Sequence, residues 1–148
     1  QTLFNSPIFI LKKELLFVPL FGWYLKKIGS ISIKRNKISK SNLDFYENIS
    51  QAISITNRPI IIFPQGTRVL PHERPPFKKG ASKIYEKLKI SCQPIAINSG
   101  YVWPKTGINQ SHKSITISIL KPISADLSKD EFLKILEDHI YSELDLLN

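Results

Sequence analysis

An α/β fold is the class this sequence predicts, and three observations predict it. Short runs rich in β-branched and aromatic residues recur at Pro7 to Leu11, Ile31 to Lys34, Pro59 to Phe63, Gln93 to Asn98 and Ser114 to Leu120. Between them lie longer stretches whose apolar residues recur at helical spacing. The chain carries no repeat, low-complexity tract or linker, and its 148 residues suit one domain with a real core. Strands alternating with helices imply a central, mostly parallel or mixed sheet flanked by helices, assigned here to a single domain over residues 1–148.

The first strand is the apolar run Pro7 to Leu11, ended by Lys12, Lys13 and Glu14. Leu15 to Ile28 is dense in large apolar side chains, and Pro19 suits a first helical turn, so a helix is expected from about Pro19 to Ile28, closed by Gly29. Lys26 and Lys27 fall in its last turn, where cations favour the dipole. Such a segment suits either a buried core helix or a helix lying in a membrane interface, and its composition leaves both readings open. Ile31 to Lys34 alternates as a strand does and ends at Arg35, with Lys37 and Lys40 beyond; on spacing alone these are a solvated basic surface.

A helix is expected from Ser39 or Ser41 to about Ile55, with Leu43, Tyr46, Ile49 and Ile53 facing the core. After the strand at Pro59 to Phe63, the proline-rich segment Val69 to Pro76 is a loop. Lys79 to Leu88 reads as a helix, with Gly80 near its start permitting close backbone approach. Cys92 precedes the strand at Gln93 to Asn98 and reads as a small core residue. Asn98 to Gly100 is a turn, and the loop from Tyr101 to Gln110 carries an exposed-looking pair, Tyr101 and Trp103. Ser114 to Leu120 sets Ile115, Ile117 and Ile119 against Thr116 and Ser118, the pattern of a half-buried strand with the isoleucines inward. Ser128 followed by Glu131 is a capping box for a last helix, whose stripe is Phe132, Ile135, Leu136, Ile140 and Leu144.

Hydrophobic residues make up 42% of the chain, which excludes a disordered polymer. The formal net charge of +9 points to an anionic partner: lipid phosphate, an anionic membrane or nucleic acid. The basic residues are scattered and form no recognition module, so nucleic acid is not the expected partner. A single cysteine excludes an internal disulfide and a cysteine-built metal site. No stretch reaches the ~18 apolar residues of a membrane span.

The chain is organised around Ile60-Ile61-Ile62-Phe63-Pro64-Gln65-Gly66-Thr67-Arg68. Pro64 cannot donate to a ladder, so pairing should stop there. Gly66 opens backbone angles closed to other residues. Arg68 then presents a permanently charged fork suited to phosphate or carboxylate. On spacing alone, the commoner outcome of such a turn is a solvated arginine.

The wording of this stretch is more specific than its spacing. Phe63-Pro64-Gln65-Gly66-Thr67-Arg68 resembles the Phe-Pro-Glu-Gly-Thr-Arg block of the glycerolipid acyltransferases, and most of all the bacterial 1-acyl-sn-glycerol-3-phosphate acyltransferases. Gly29 to Arg35 resembles the family's second block, Phe77-Lys78-Lys79-Gly80-Ala81 the segment after the third, and Pro94 to Gly100, with Trp103 beyond, the fourth. The resemblance implies that Arg68 binds an acceptor's phosphate, with Arg35 as a second cation. Gly66 allows close approach, Thr67 adds a hydroxyl, Gln65 helps hold the glycerol, and Lys78 and Lys79 widen the positive patch. Phe63 and Pro64 complete the block, and Pro94 with its strand lines the acyl-donor side.

No self-contained catalytic set appears among His72, His112 and His139, and Walker, nucleophile-elbow and dinucleotide motifs are absent. The resembled family uses a His, four residues, then Asp or Glu, the His acting as general base on the acceptor hydroxyl. Gln1-Thr2-Leu3-Phe4 resembles the end of that block, so Gln1 stands where the acid is expected and the His falls upstream of residue 1. The expectation is thus the C-terminal portion of an acyltransferase domain, inactive alone. What the resemblance implies for the whole is transfer of an acyl group from an acyl thioester, acyl-CoA or acyl carrier protein, to the sn-2 hydroxyl of lysophosphatidate, giving phosphatidate. No cofactor is implied; the partners are those lipids, a membrane surface and acyl carrier protein. The implied location is the cytoplasmic face of the inner membrane, peripheral or monotopic. The alternative is a non-catalytic anionic-lipid binder that keeps the phosphate pocket.

Overall fold

Ile8 is fully buried because it starts the strand on which a parallel sheet is built. That strand, β1 (Ile8–Lys12), pairs parallel with β2 (Ile31–Ile33) on one side and β3 (Ile60–Ile61) on the other. The strand order is β2-β1-β3, in register Ile10 to Ile31 and Ile8 to Ile60. These relations come from a computed structural model, which describes residues 6–33, 41–104, 107 and 114–147. The chain forms two compact units, one up to Phe63 and one from Pro64 onward.

In the first unit, parallel neighbours require crossovers, and helices supply them. Between β1 and β2 the chain makes a 3-10 turn at Lys13–Phe17 and then α1 (Phe21–Lys27). The predicted start at Pro19 moves to Phe21 because of a tight reversal. The Phe21 N–H bonds to the Pro19 carbonyl at 2.6 Å, with Leu20 at φ 61° and ψ −48° between them. This is a γ-turn of the rare, strained kind. Gly22 is the packing point: a Cβ there would overlap the Leu16 carbonyl and lie 3.0 Å from its Cα. Gly29 closes α1 at φ 76°, with Ser30 N–H on the Leu25 carbonyl and Gly29 N–H on that of Lys26, a complete Schellman ending.

Only Gly22 and Leu25 of α1 are buried. Phe17, Leu20, Phe21, Trp23 and Tyr24 are exposed, so the core-helix reading of this segment fails. Between β2 and β3 runs α2 (Ser41–Thr56). Ile49 and Phe45 are buried, Tyr46 and Ile53 half-buried, and the Leu43 side chain lies outside the described residues. Arg58 then gathers the loops: it donates to the Ser6 carbonyl, to Pro7 O at 3.3 Å and to Ile28 O at 2.7 Å.

The second unit places α3 (Gly80–Leu88) and α4 (Lys129–Leu146) with an antiparallel pair, β4 (Ile95–Ile97) and β5 (Ile117–Ile119). Its core joins Phe77, Tyr85, Ala96, Ile123, Phe132, Leu136 and Ile140. Tyr85 stacks flat on Phe132, centroids 3.8 Å apart. The capping box is present as read, and Phe132, Leu136 and Ile140 of its stripe are buried.

One expectation inverts here. Ile115, Ile117 and Ile119 are exposed, while Ser118 is half-buried. Directly opposed residues share a face, and Ser118 pairs with the fully buried Ala96. The face of small residues is the one against α4, which packs on β4. The alternation is real; the helix chose the face that let it approach. With the parallel sheet and its flanking helices, the predicted α/β class holds.

Candidate functional site

Pro64 and Gln65 form the turn that follows β3, and Gly66 continues it at φ 72°, a backbone region in which a side chain is strained. The glycine is therefore required by the bend. Thr67 and Arg68 leave the bend exposed to solvent.

The turn is tied down from two sides within its own unit. The Pro64 carbonyl accepts the Lys78 N–H at 2.9 Å, which sets the Lys78-Lys79 pair alongside the turn. Both lysines are exposed, and Lys79 is the N-cap residue of α3. The positive end of the α3 dipole therefore adds to the charge of Lys78 and Lys79. On the other side the Gln65 amide donates to the Tyr141 hydroxyl at 3.4 Å, and that hydroxyl donates to the Pro75 carbonyl at 2.5 Å.

Tyr141 belongs to a polar stripe of α4. Glu137, Tyr141 and Asp145 recur every four residues and so share one face. The Glu137 carboxylate accepts the Phe77 N–H at 2.6 Å, and Asp145 pairs with Arg74 at 2.5 Å. Arg74 also donates to Pro71 O at 2.6 Å and lies 5.4 Å from the centre of the Tyr141 ring. The Phe77 and Tyr141 rings meet at 5.0 Å. Burial, above all, pushes the Tyr141 hydroxyl's pKa up, so the group stays a donor. The arginine that holds structure here is Arg74, and the Arg68 guanidinium has no hydrogen-bond or ion-pair partner among the described residues.

A family model of acyltransferases matches residues 2–98. The chain belongs to the acyltransferase family. It is 33% identical over 114 residues to the 1-acyl-sn-glycerol-3-phosphate acyltransferase of Pseudomonas aeruginosa, covering 72% of this chain and 43% of that relative. It is 32% identical over 141 residues to the enzyme of the same name from Saccharomyces cerevisiae, covering 90% of this chain and 46% of that one. The chain thus spans about half the length of the curated relatives it matches. A solved structure, the 1-acyl-sn-glycerophosphate (LPA) acyltransferase PlsC from Thermotoga maritima, shares its fold with a TM-score of 0.74 at 21% identity, over 97% of this chain and 57% of that one.

The other residues of the acyltransferase reading are placed as follows. Phe63 is exposed at the exit of the β3 run. Gln1 and Arg35 lie outside the described residues. Pro94 is fully buried, so its side chain presents no open surface; its carbonyl accepts the Leu120 N–H at 3.1 Å. Nothing lies within 4 Å of a Cβ built on Gly80, so the start of α3 is open. The side chains of His72 and His139 are exposed, with no hydrogen-bond or ion-pair partner among the described residues. Cys92 bridges to Ile123 and packs on the core, where burial pushes its thiol up to about 11.

Sequence reasoning missed Tyr141, Glu137 and Arg74. A signal was available for the helix pair: the four-residue spacing of Glu137, Tyr141 and Asp145 runs beside the apolar stripe it accompanies. Nothing in the sequence marks Arg74 over Arg68.

Proposed function

We propose that this chain is the portion of a lysophosphatidate acyltransferase that holds the acceptor by its phosphate. The observation that carries the reading is the turn at Pro64 to Arg68. Its bend is fixed by Gly66, it is strapped to Lys78, and it leaves a guanidinium and two ammonium groups facing solvent. A guanidinium that has no side-chain partner among the described residues suits a phosphate monoester, to which it can donate two parallel hydrogen bonds. Membership of the acyltransferase family and the names of the relatives support the same reading.

In this reading the sn-2 hydroxyl oxygen of lysophosphatidate attacks the thioester carbonyl. The C–S bond breaks, the thiol leaves, and the hydroxyl proton passes to a general base, giving phosphatidate. Gripping the phosphate places the hydroxyl without acting on the reacting atoms, a proximity effect. The activated acyl group arrives on the thioester, from acyl-CoA or acyl carrier protein, so no metal or prosthetic group is called for. The His72 and His139 side chains are exposed and have no partner among the described residues, and His112 lies outside those residues, so the base is assigned, by the pattern of the resembled family, to a histidine outside this chain. A lipid substrate calls for work at a membrane, and the location proposed is the cytoplasmic face of the inner membrane, as a peripheral or monotopic protein. No described helix is long and apolar enough to cross one.

The experiment is calorimetric titration of the 148-residue chain with lysophosphatidate, together with an acyl-transfer assay from both thioesters. Binding without turnover is expected. Turnover by the chain alone would overturn the assignment of the base, and no binding would overturn the acceptor site. A non-catalytic lipid binder separates from the enzyme when the chain is extended upstream: only the enzyme then gains turnover.

A further inference from the structure

We infer that the hairpin formed by the 3-10 turn Lys13–Phe17 and α1 is a membrane-docking surface that inserts its apolar tip into an anionic bilayer. This deepens the reading above and rests on it only for the presence of a membrane.

The hairpin is a built feature. Its two arms touch backbone to backbone where Gly22 meets Leu16, an approach only glycine permits. The γ-turn at Leu20 folds the chain back at a conformational cost that no packing at Leu20 offsets, since Leu20 is 85% exposed. Phe17 is 76% and Trp23 66% exposed, and Val18, Phe21 and Tyr24 are exposed with them. An exposed cluster of this size marks an interaction surface.

Charge selects the occupant. Exposed Lys12 precedes the hairpin, Lys13 opens it, and exposed Lys26 and Lys27 close it. The Lys27 ammonium sits 5.1 Å from the centre of the Trp23 ring, so the indole and the cation share one level. Tryptophan, tyrosine and lysine at the edge of an apolar tip match the headgroup layer of a bilayer, with the stems of the lysines covering apolar surface. Glu14 is the single acidic residue between Ile8 and Ile33, and it is 3.6 Å from Lys12. A protein partner of ordinary charge would not call for this one-sided balance; anionic lipid does.

The test uses the 148-residue chain carrying Trp103→Phe, which leaves Trp23 as the sole indole. The probes are vesicles of phosphatidylethanolamine with phosphatidylglycerol, and of phosphatidylcholine alone, both free of lysophosphatidate and thioester. With the anionic vesicles Trp23 emission shifts to the blue and is quenched by bromine-labelled acyl chains. Binding falls as salt rises. Lys26→Gln with Lys27→Gln lowers affinity about tenfold. Phe17→Ser with Leu20→Asn lowers it by about tenfold or more, Asn being tolerant of positive φ. Circular dichroism of both variants matches the parent.

An unshifted, unquenched Trp23 overturns the proposal, as does parental affinity in the Phe17→Ser, Leu20→Asn variant. A blue shift that tracks protein concentration without vesicles, and a dimer dispersed by Leu20→Asn, assigns the face to a second copy and overturns it too. Where the double variant fails to fold, the quenching measured on the parent decides alone. Lysophosphatidate binding is scored separately on the same variants: its loss in the parent sinks the acyltransferase reading and leaves vesicle binding as the measure of the hairpin.

Discussion

The side-chain amide of Gln65 reaches the hydroxyl of Tyr141 at 3.4 Å, joining the central turn to the middle of α4. The hydroxyl in turn donates to Pro75 O at 2.5 Å, so one group holds both the turn and the proline-rich loop. Tyr141→Phe removes both hydrogen bonds and keeps the ring against Phe77 and Arg74. The expected loss is about 1 kcal/mol of stability, read as a lower urea midpoint at unchanged slope. Tyr141→Leu should cost more, because it also removes the ring contacts. Equal stability of Tyr141→Phe and the parent would show the hydroxyl to be idle.

The Arg68 guanidinium has no partner among the described residues, whereas that of Arg74 is committed to Asp145 and the Pro71 carbonyl. Arg68→Ala should weaken lysophosphatidate binding by about 1.5–3 kcal/mol, the range for hydrogen bonds to charged groups, and leave thermal stability unchanged. Arg68→Lys keeps the charge but loses the fork, so it should recover part of the affinity. Titration calorimetry reads both. An Arg68→Ala chain that binds as the parent does removes Arg68 from the site.

The order of elements was legible because each carried its own local signature. Ser128 and Glu131 announced the start of α4 and Gly29 the end of α1, whereas pairing along β3 stops at Ile61, short of the Pro64 expected to end it. Burial was less legible. The isoleucines of β5 alternate as an inward face does, yet Ala96 opposite Ser118 lets α4 come close on the other face, and only the three-dimensional packing reveals it. The apolar stretch around Trp23 was ambiguous for the same reason: periodicity measures composition per face, and not what lies against the face. At the site, the Gly66 bend and the exposed Arg68 could be read from residue types. The restraint on that bend could not, because Gln65, Pro75 and Tyr141 lie far apart in sequence.

Two glycines on helices should respond in opposite ways to the same substitution. Gly22→Ala drives a methyl into the Leu16 carbonyl and should cost about 1–3 kcal/mol or more, since backbone cannot move aside cheaply. Gly80→Ala meets nothing within 4 Å at the first residue of α3. It should stabilise by about 0.4–1 kcal/mol through the unfolded chain's lost freedom. Urea unfolding of the two variants reads the contrast. Stabilisation by Gly22→Ala would mean that the arms of the hairpin do not touch.

Cys92 offers a probe of the core. Burial raises its thiol to about 11, so its reactive thiolate is scarcer at neutral pH than that of an ordinary cysteine. Alkylation by iodoacetamide should be slow in the folded chain and quicken on adding urea. Labelling at the rate of a free thiol would show that the ladder between Cys92 and Ile123 opens readily.

Acid should weaken the cap at the start of α4. The Ser128 hydroxyl donates to the Glu131 carboxylate at 2.6 Å, the Ser128 N–H donates to it at 3.1 Å, and together they hold its pKa below the ordinary 4.5. A carboxyl whose folded pKa is depressed adds stability above the unfolded value. That stability is lost as pH falls from about 4.5 through the lower folded value. Glu131→Gln keeps a side chain able to complete the box but removes the titrating group, so it should flatten this part of the acid limb. Ser128→Ala removes the hydroxyl acceptor of the Glu131 N–H and should cost about 1 kcal/mol at neutral pH. Urea midpoints followed from pH 7 downward separate the two. An acid limb unchanged by Glu131→Gln would place the acid sensitivity of the fold on another carboxylate.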